Sequence, residues 1–163
     1  MDQEEFTAFY HETATALRGY IRRVSGDGSA ADDLLQETYL RFLRAKPAAD
    51  DRAAMKAYLY KTATAAIYDR WRKRRRERLW FLNFRFREDT PPAAESGDVS
   101  RCFRKLNPRE RALLWLAYVE GYSHQEIASA LDLRESSIKV LLYRARRNLE
   151  RVLMQNGLSE VKP

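Results

Sequence analysis

Apolar side chains recur along this chain at intervals of three and four, and no stretch alternates residue by residue in the manner of a strand. Phe6, Phe9, Tyr10, Leu17, Tyr20, Ile21 and Val24 mark one face of a helix expected over residues 3–24, which Gly26 and Gly28 stop. A second helix is expected from Ser29, whose hydroxyl suits a cap, through ADDLLQETYLRFLRA until Pro47 forbids continuation. KPAADD then reads as a loop, and a third helix should run from near Arg52 to about Leu79. Within the second helix, Leu35, Tyr39 and Phe42 are assigned to the core.

The pattern changes after the third helix. WFLNFRFREDTPPAAESGDVS opens aromatic and turns into a Pro, Ala, Ser and acidic segment with little apolar surface to bury, so residues 88–100 read as a linker. Beyond it, Asn107, Pro108 and Glu110 supply a cap, a preset first residue and an acidic first turn. Gly121 should end that helix. Ser123 and Glu126 form a capping box for a short helix, and a last helix should start at Ser136 or Ser137 and stop before Gly157. The expected fold is all-α, with an N-terminal helical bundle at 1–87 and a C-terminal helix-turn-helix domain at 101–163.

Placing the last helix on a wheel puts Ile138, Leu141, Leu142, Ala145, Leu149 and Val152 on one side. Val140, Tyr143, Arg144, Arg147 and Arg151 lie opposite, with Lys139 at the edge. The second helix of a helix-turn-helix enters the major groove, where such side chains read base edges. A solvated face on a bundle helix is the plain alternative. The short turn LDLRES, in which Asp132 tolerates a left-handed backbone, favours the DNA-reading geometry. On the third helix, with Leu59 at the core centre, Met55, Thr62, Ala63, Ala66 and Ile67 fall inward. Lys61, Thr64, Tyr68, Arg72 and Arg75 project outward, before RWRKRRRER surrounds the axis with charge.

Charge sharpens this picture. The net charge of +7 and a pI near 9.7 suit a polyanionic partner. Residues 70–87 alone hold nine Lys/Arg against one acidic residue, whereas 88–100 hold none against four. The basic excess is therefore local, and aromatics among those cations suit stacking on unpaired bases.

Several functions are disfavoured. Cys102 cannot form an internal disulfide, and with only His11 and His124 beside it no metal or other cofactor is expected. The carboxylates do not cluster and no Gly-rich phosphate loop occurs, which argues against an enzyme. The acidic N-terminus lacks a signal-type apolar run, and no stretch approaches the ~20 apolar residues that cross a bilayer, so a cytoplasmic chain without stable membrane insertion is expected.

Three segments carry a family resemblance. ADDLLQETYLRFLRA resembles the polymerase-docking helix of bacterial extracytoplasmic-function sigma factors, the group 4 members of the sigma-70 class. YLYKTATAAIYDRWRKRRR is similar to their promoter-melting helix, and LNPRERALLWLAYVEGYSHQEIASALDLRESSIKVLLYRARRNLERVL resembles their whole C-terminal domain. The resemblance implies a dissociable RNA polymerase subunit that docks on the clamp of the largest subunit and the flap of the second largest. It would direct core enzyme to promoter DNA and be held by an anti-sigma factor.

By position, the resemblance places Asp33, Gln36, Glu37 and Leu40 on the clamp. Lys139, Val140, Tyr143, Arg144 and Arg147 fall at the minus 35 element, and Lys61, Thr64, Tyr68, Arg72 and Arg75 at the minus 10 element, with a flipped base near loop 45–53. The chain departs from the family at Ala65, Tyr58, Asp132 and Leu141, where Asn, Trp, Gly and Arg are usual. Trp80, Phe81, Leu82, Phe84 and Phe86 are expected to pack between the domains. A free-standing dimeric helix-turn-helix regulator is the competing reading, and the DDLLQETYLRFL helix argues against it.

Overall fold

The computed structural model describes residues 1–47, 51–82 and 97–158. Its first half contains α1 (Gln3–Ser25), a 3-10 turn (Gly28–Ala30), α2 (Ala31–Ala45) and α3 (Arg52–Leu82). The second half contains α4 (Asp98–Arg104), α5 (Pro108–Tyr118), α6 (His124–Leu131) and α7 (Glu135–Gln155). Helices alone make up the regular structure of the described residues, as the spacing of apolar positions requires.

The helix ends follow local chemistry. Asp2 accepts from the Glu5 amide at 2.8 Å while Glu5 accepts from the Asp2 amide at 2.9 Å, which satisfies two donors that the first turn of α1 leaves open. The same reciprocal box starts α5 at Asn107 and Glu110, and α6 at Ser123 and Glu126. Gly26 closes α1 at φ +68°, a left-handed conformation that strains any residue with a side chain, and it lies beside the Arg111 guanidinium. Asp132 closes α6 in the left-handed region at φ +56°, as its place in the turn suggested.

Two helix starts differ from expectation. Ser29 does not cap α2: its amide and hydroxyl both donate to the buried Asp27 carboxylate, which forms the 3-10 turn and moves the start of α2 to Ala31. The last helix starts at Glu135, one residue before the earlier of the two expected positions, and has no side-chain cap. In addition, α3 runs on to Leu82, and residues 98–100 of the expected linker are the first turn of α4.

The first half packs as a three-helix bundle. Phe9 stacks on Phe42 with ring centres 5.3 Å apart, and Leu17, Ile21, Leu34, Leu59 and Ile67 fill the space between the helices. Leu35, Tyr39 and Phe42 are buried as assigned, and Tyr39 shares a 2.7 Å hydrogen bond with Thr13. Each fully buried aliphatic side chain contributes about 1.5–3 kcal/mol, so these contacts outweigh helix propensity.

The second half shares much of its core with the first. Ala112, Leu113, Leu116, Ile127 and Ile138 join the same apolar cluster as the first half. A smaller cluster of Cys102, Leu106, Leu114, Ala145 and Val152 sits under α4 and α7, so Cys102 is an internal packing residue of the second half.

Candidate nucleic-acid interface

The helix-turn-helix is formed by α6 and α7, and the buried side of α7 is the one read from the wheel. Ile138, Leu142, Ala145 and Val152 are buried, with Leu141 and Leu149 half-buried beside them. Lys139, Val140, Tyr143, Arg144 and Arg147 are all exposed on the other side. Arg147 pairs with Glu150 at 3.1 Å, a contact between exposed groups that a phosphate could displace at little cost. This face is open from end to end.

The corresponding face of α3 is largely covered. Thr64, expected to project outward, is 3 % exposed; its hydroxyl donates to the Tyr60 carbonyl and shares a 2.7 Å bond with the Tyr20 hydroxyl. The reason is that α3 is buried on two sides between Leu59 and Ile67, by α1 and α2 on one side and by α5 and α6 on the other. Tyr60 is fully buried, with Tyr20 at 5.0 Å and Tyr122 at 5.6 Å between ring centres. Tyr68 is half-buried against the core rather than outward, and burial pushes its hydroxyl up to about 12.

Lys61 is exposed, yet its ammonium pairs with Asp132 at 3.0 Å, tying α3 to the turn of the helix-turn-helix. Arg72 and Arg75 remain exposed: Arg72 holds Asp69 at 3.1 Å, and Arg75 lies 5.4 Å over the Trp71 ring. The expected minus 10 set is thus split between two exposed arginines, Arg72 and Arg75, and three residues engaged in packing or in a tie to the second half.

A second tie passes through Arg111, which sequence reading did not single out. It is 4 % exposed; Nε donates to the Val24 carbonyl at 2.8 Å, and Nη1 donates to the carbonyls of Arg104 and Leu106. Burial lowers its pKa to about 10, so it stays charged at neutral pH. Its position on a helix otherwise rich in Leu and Ala was the only signal in the sequence.

On α2, Asp33, Gln36, Glu37 and Leu40 form one exposed strip, with Leu40 at 53 % exposure. Together with Arg41 and Arg44 they line a shallow groove, in which Glu37 pairs with Arg41 at 2.5 Å. An exposed leucine among charges suits a protein surface better than nucleic acid. Trp80, Phe81 and Leu82 are exposed on the last turns of α3 instead of packed between the halves, while Phe84 and Phe86 lie outside the described residues, as do 48–50 of loop 45–53.

Comparison with known proteins identifies this arrangement. The sigma-70 region 2 family matches residues 9–77, and the sigma-70 region 4 family matches residues 96–149. The chain belongs to the sigma-70 family, in its extracytoplasmic-function group. As a sigma factor it directs core RNA polymerase to promoters and starts transcription. It is 28% identical over 162 residues to the ECF RNA polymerase sigma factor SigL of Mycobacterium tuberculosis, covering 93% of this chain and 90% of SigL. It is also 28% identical over 156 residues to SigX of Bacillus subtilis, with 87% and 80% covered.

Among solved structures, the sigma factor RpoE in complex with the anti-sigma factor NepR from Bartonella quintana shares the fold at a TM-score of 0.74 and 24% identity, over 93% of this chain and 98% of that one. The two sigma-70 matches lie in the order that the sequence suggested. No helix among the described residues is long and apolar enough to cross a membrane.

Proposed function

We propose that this sigma factor divides its work among three faces. The strip of Asp33, Gln36, Glu37 and Leu40 docks on the clamp of the largest polymerase subunit. The open side of α7, with Lys139, Val140, Tyr143, Arg144 and Arg147, reads the minus 35 element in the major groove, and residues 101–163 act as the unit that carries it to the flap of the second largest subunit. Residues 1–87 act on the minus 10 element, through Arg72 and Arg75 first and through Lys61 and Tyr68 once α5 and α6 have moved away; Thr64 supports the helix from inside and takes no part in contact. Residues 88–100 connect the units.

The observation that carries this reading is the α7 face, where cations and an aromatic stand exposed opposite the packed side. The chain performs no catalysis of its own and works in the cytoplasm, beside the polymerase. NepR binds the structurally similar RpoE, and a protein of that functional class is the partner proposed to hold this chain when transcription is not required.

The experiment is run-off transcription with purified core polymerase on a promoter taken from upstream of this protein's gene, together with a core pull-down. Transcripts and core binding are expected from the full chain, with both reduced at least tenfold by Leu40→Asp. Retention of promoter binding without any core binding would overturn the reading.

A further inference from the structure

The two halves enclose a cavity of about 340 Å³ that shares only Arg75 with the three faces. Its walls come from the end of α1, the middle of α3, and the α4 and α5 region, and they carry six arginines against one aspartate. Arg70, Arg74, Arg75 and Arg78 come from α3, while Arg104 and Arg111 come from the second half.

The single anion is already committed. Asp27 is 6 % exposed and accepts from the Ser29 amide and hydroxyl, while Arg70 stands 3.5 Å away and Arg74 closer still. Burial pushes its carboxyl up, but Ser29, Arg74 and Arg70 together hold it below the usual carboxylate range. Among the described residues no carboxylate comes within ion-pair distance of Arg75, Arg104 or Arg111. Arg111 has only carbonyl oxygens as hydrogen-bond acceptors. Closing the halves therefore brings guanidinium groups of both together with an excess of positive charge.

We propose that this cavity binds a small nucleotide carrying two or more phosphates, and that the bound nucleotide bridges α3 to α4 and α5 and holds the halves together. Planar guanidinium forks bind phosphate oxygens in pairs, and several from different directions select a multivalent anion over a single charge. Trp71 adds one broad ring to the wall, half in contact with Arg75, on which a base can lie. The volume falls within the range of small-ligand sites and admits no duplex. Because the walls meet only when the halves are closed, the ligand stabilises that arrangement and with it the covered state of α3.

Calorimetric titration of the full chain with ADP, pyrophosphate and sodium sulfate, all at one ionic strength, tests the site. ADP is expected to bind once per chain and to raise the melting temperature by roughly 5 °C at saturation. Pyrophosphate should bind more weakly, and sulfate not measurably. Arg104→Gln should weaken ADP about tenfold, the loss of one charge-assisted contact. Trp71→Leu should weaken ADP while leaving pyrophosphate unchanged.

Arg104 lies outside the docking and DNA-reading faces, so Arg104→Gln should support run-off transcription at the wild-type level, which reports on its fold separately. Equal ADP binding by Arg104→Gln, or no ADP heat at all, would overturn the proposal. So would a short duplex of arbitrary sequence that binds with the same sensitivity to Arg104→Gln, since the phosphates would then be those of nucleic acid.

Discussion

The open side of α7 and the covered side of α3 carry much the same side chains, cations interspersed with tyrosine, and meet opposite surroundings. On α7 the apolar stripe faces α4, α5 and α6 and nothing lies across from it, so Lys139, Tyr143 and Arg144 stand in solvent. On α3 the first half takes one side and the second half takes the other, burying Tyr60 and Thr64 and engaging Lys61. Composition describes what a face can bind. Whether it is available depends on what else packs there.

This difference has a functional meaning for a sigma factor. On the roles proposed above, the closed arrangement leaves α7 ready for the upstream element, whereas much of α3 is withheld from the downstream one. Separating the halves costs the apolar contacts of Leu113, Leu116 and Ile127 and the hydrogen bond from Arg111 to Val24, so it requires a partner that binds the open form better.

The contrast can be broken hardest at Arg111. Arg111→Met removes the donor to three carbonyls, two of them buried contacts, and should cost about 3 kcal/mol measured by urea unfolding, with faster hydrogen exchange along α3 than along α7. Equal acceleration in both helices would show that the second half has unfolded rather than moved. Tyr122→Ala removes a ring that packs on Tyr60 and lies 5.8 Å from the Lys56 ammonium, and a loss of about 2 kcal/mol is expected, again read chiefly in α3.

On the open side, Arg144→Ala should leave stability within about 0.5 kcal/mol, because the side chain is exposed. Its binding to the correct upstream element should fall by about 1–3 kcal/mol, with little change on unrelated duplexes. Uniform loss on all sequences would assign Arg144 to phosphate contact instead. The smallest effect belongs to Lys61→Gln, which breaks an exposed pair with Asp132 and should cost under about 1 kcal/mol, diminishing as salt is added.

Much of this was legible in the sequence for identifiable reasons. The starts of α5 and α6 could be read because a capping box is a local device: donor, acceptor and spacing all lie within four residues. The α7 face could be read because only one side of that helix is packed. The start of α2 was missed because Asp27, two residues before Ser29, competed successfully for the free amide and was buried by arginines more than forty residues away. Thr64 was misplaced because a wheel centred on Leu59 assumes one narrow core stripe, whereas α3 is packed on two sides and the Tyr20 hydroxyl of α1 reaches round to Thr64.

By itself, then, the sequence determined the helical period, the caps, the order of the two sigma regions and the location of cationic faces, since these depend on neighbours within a turn or two. Tertiary structure decided which face of α3 is reachable, that Arg111 is a buried tie, and that six arginines converge on one cavity. Those outcomes depend on surfaces far apart in the chain meeting across a shared apolar core, and no local pattern encodes which distant surface will arrive.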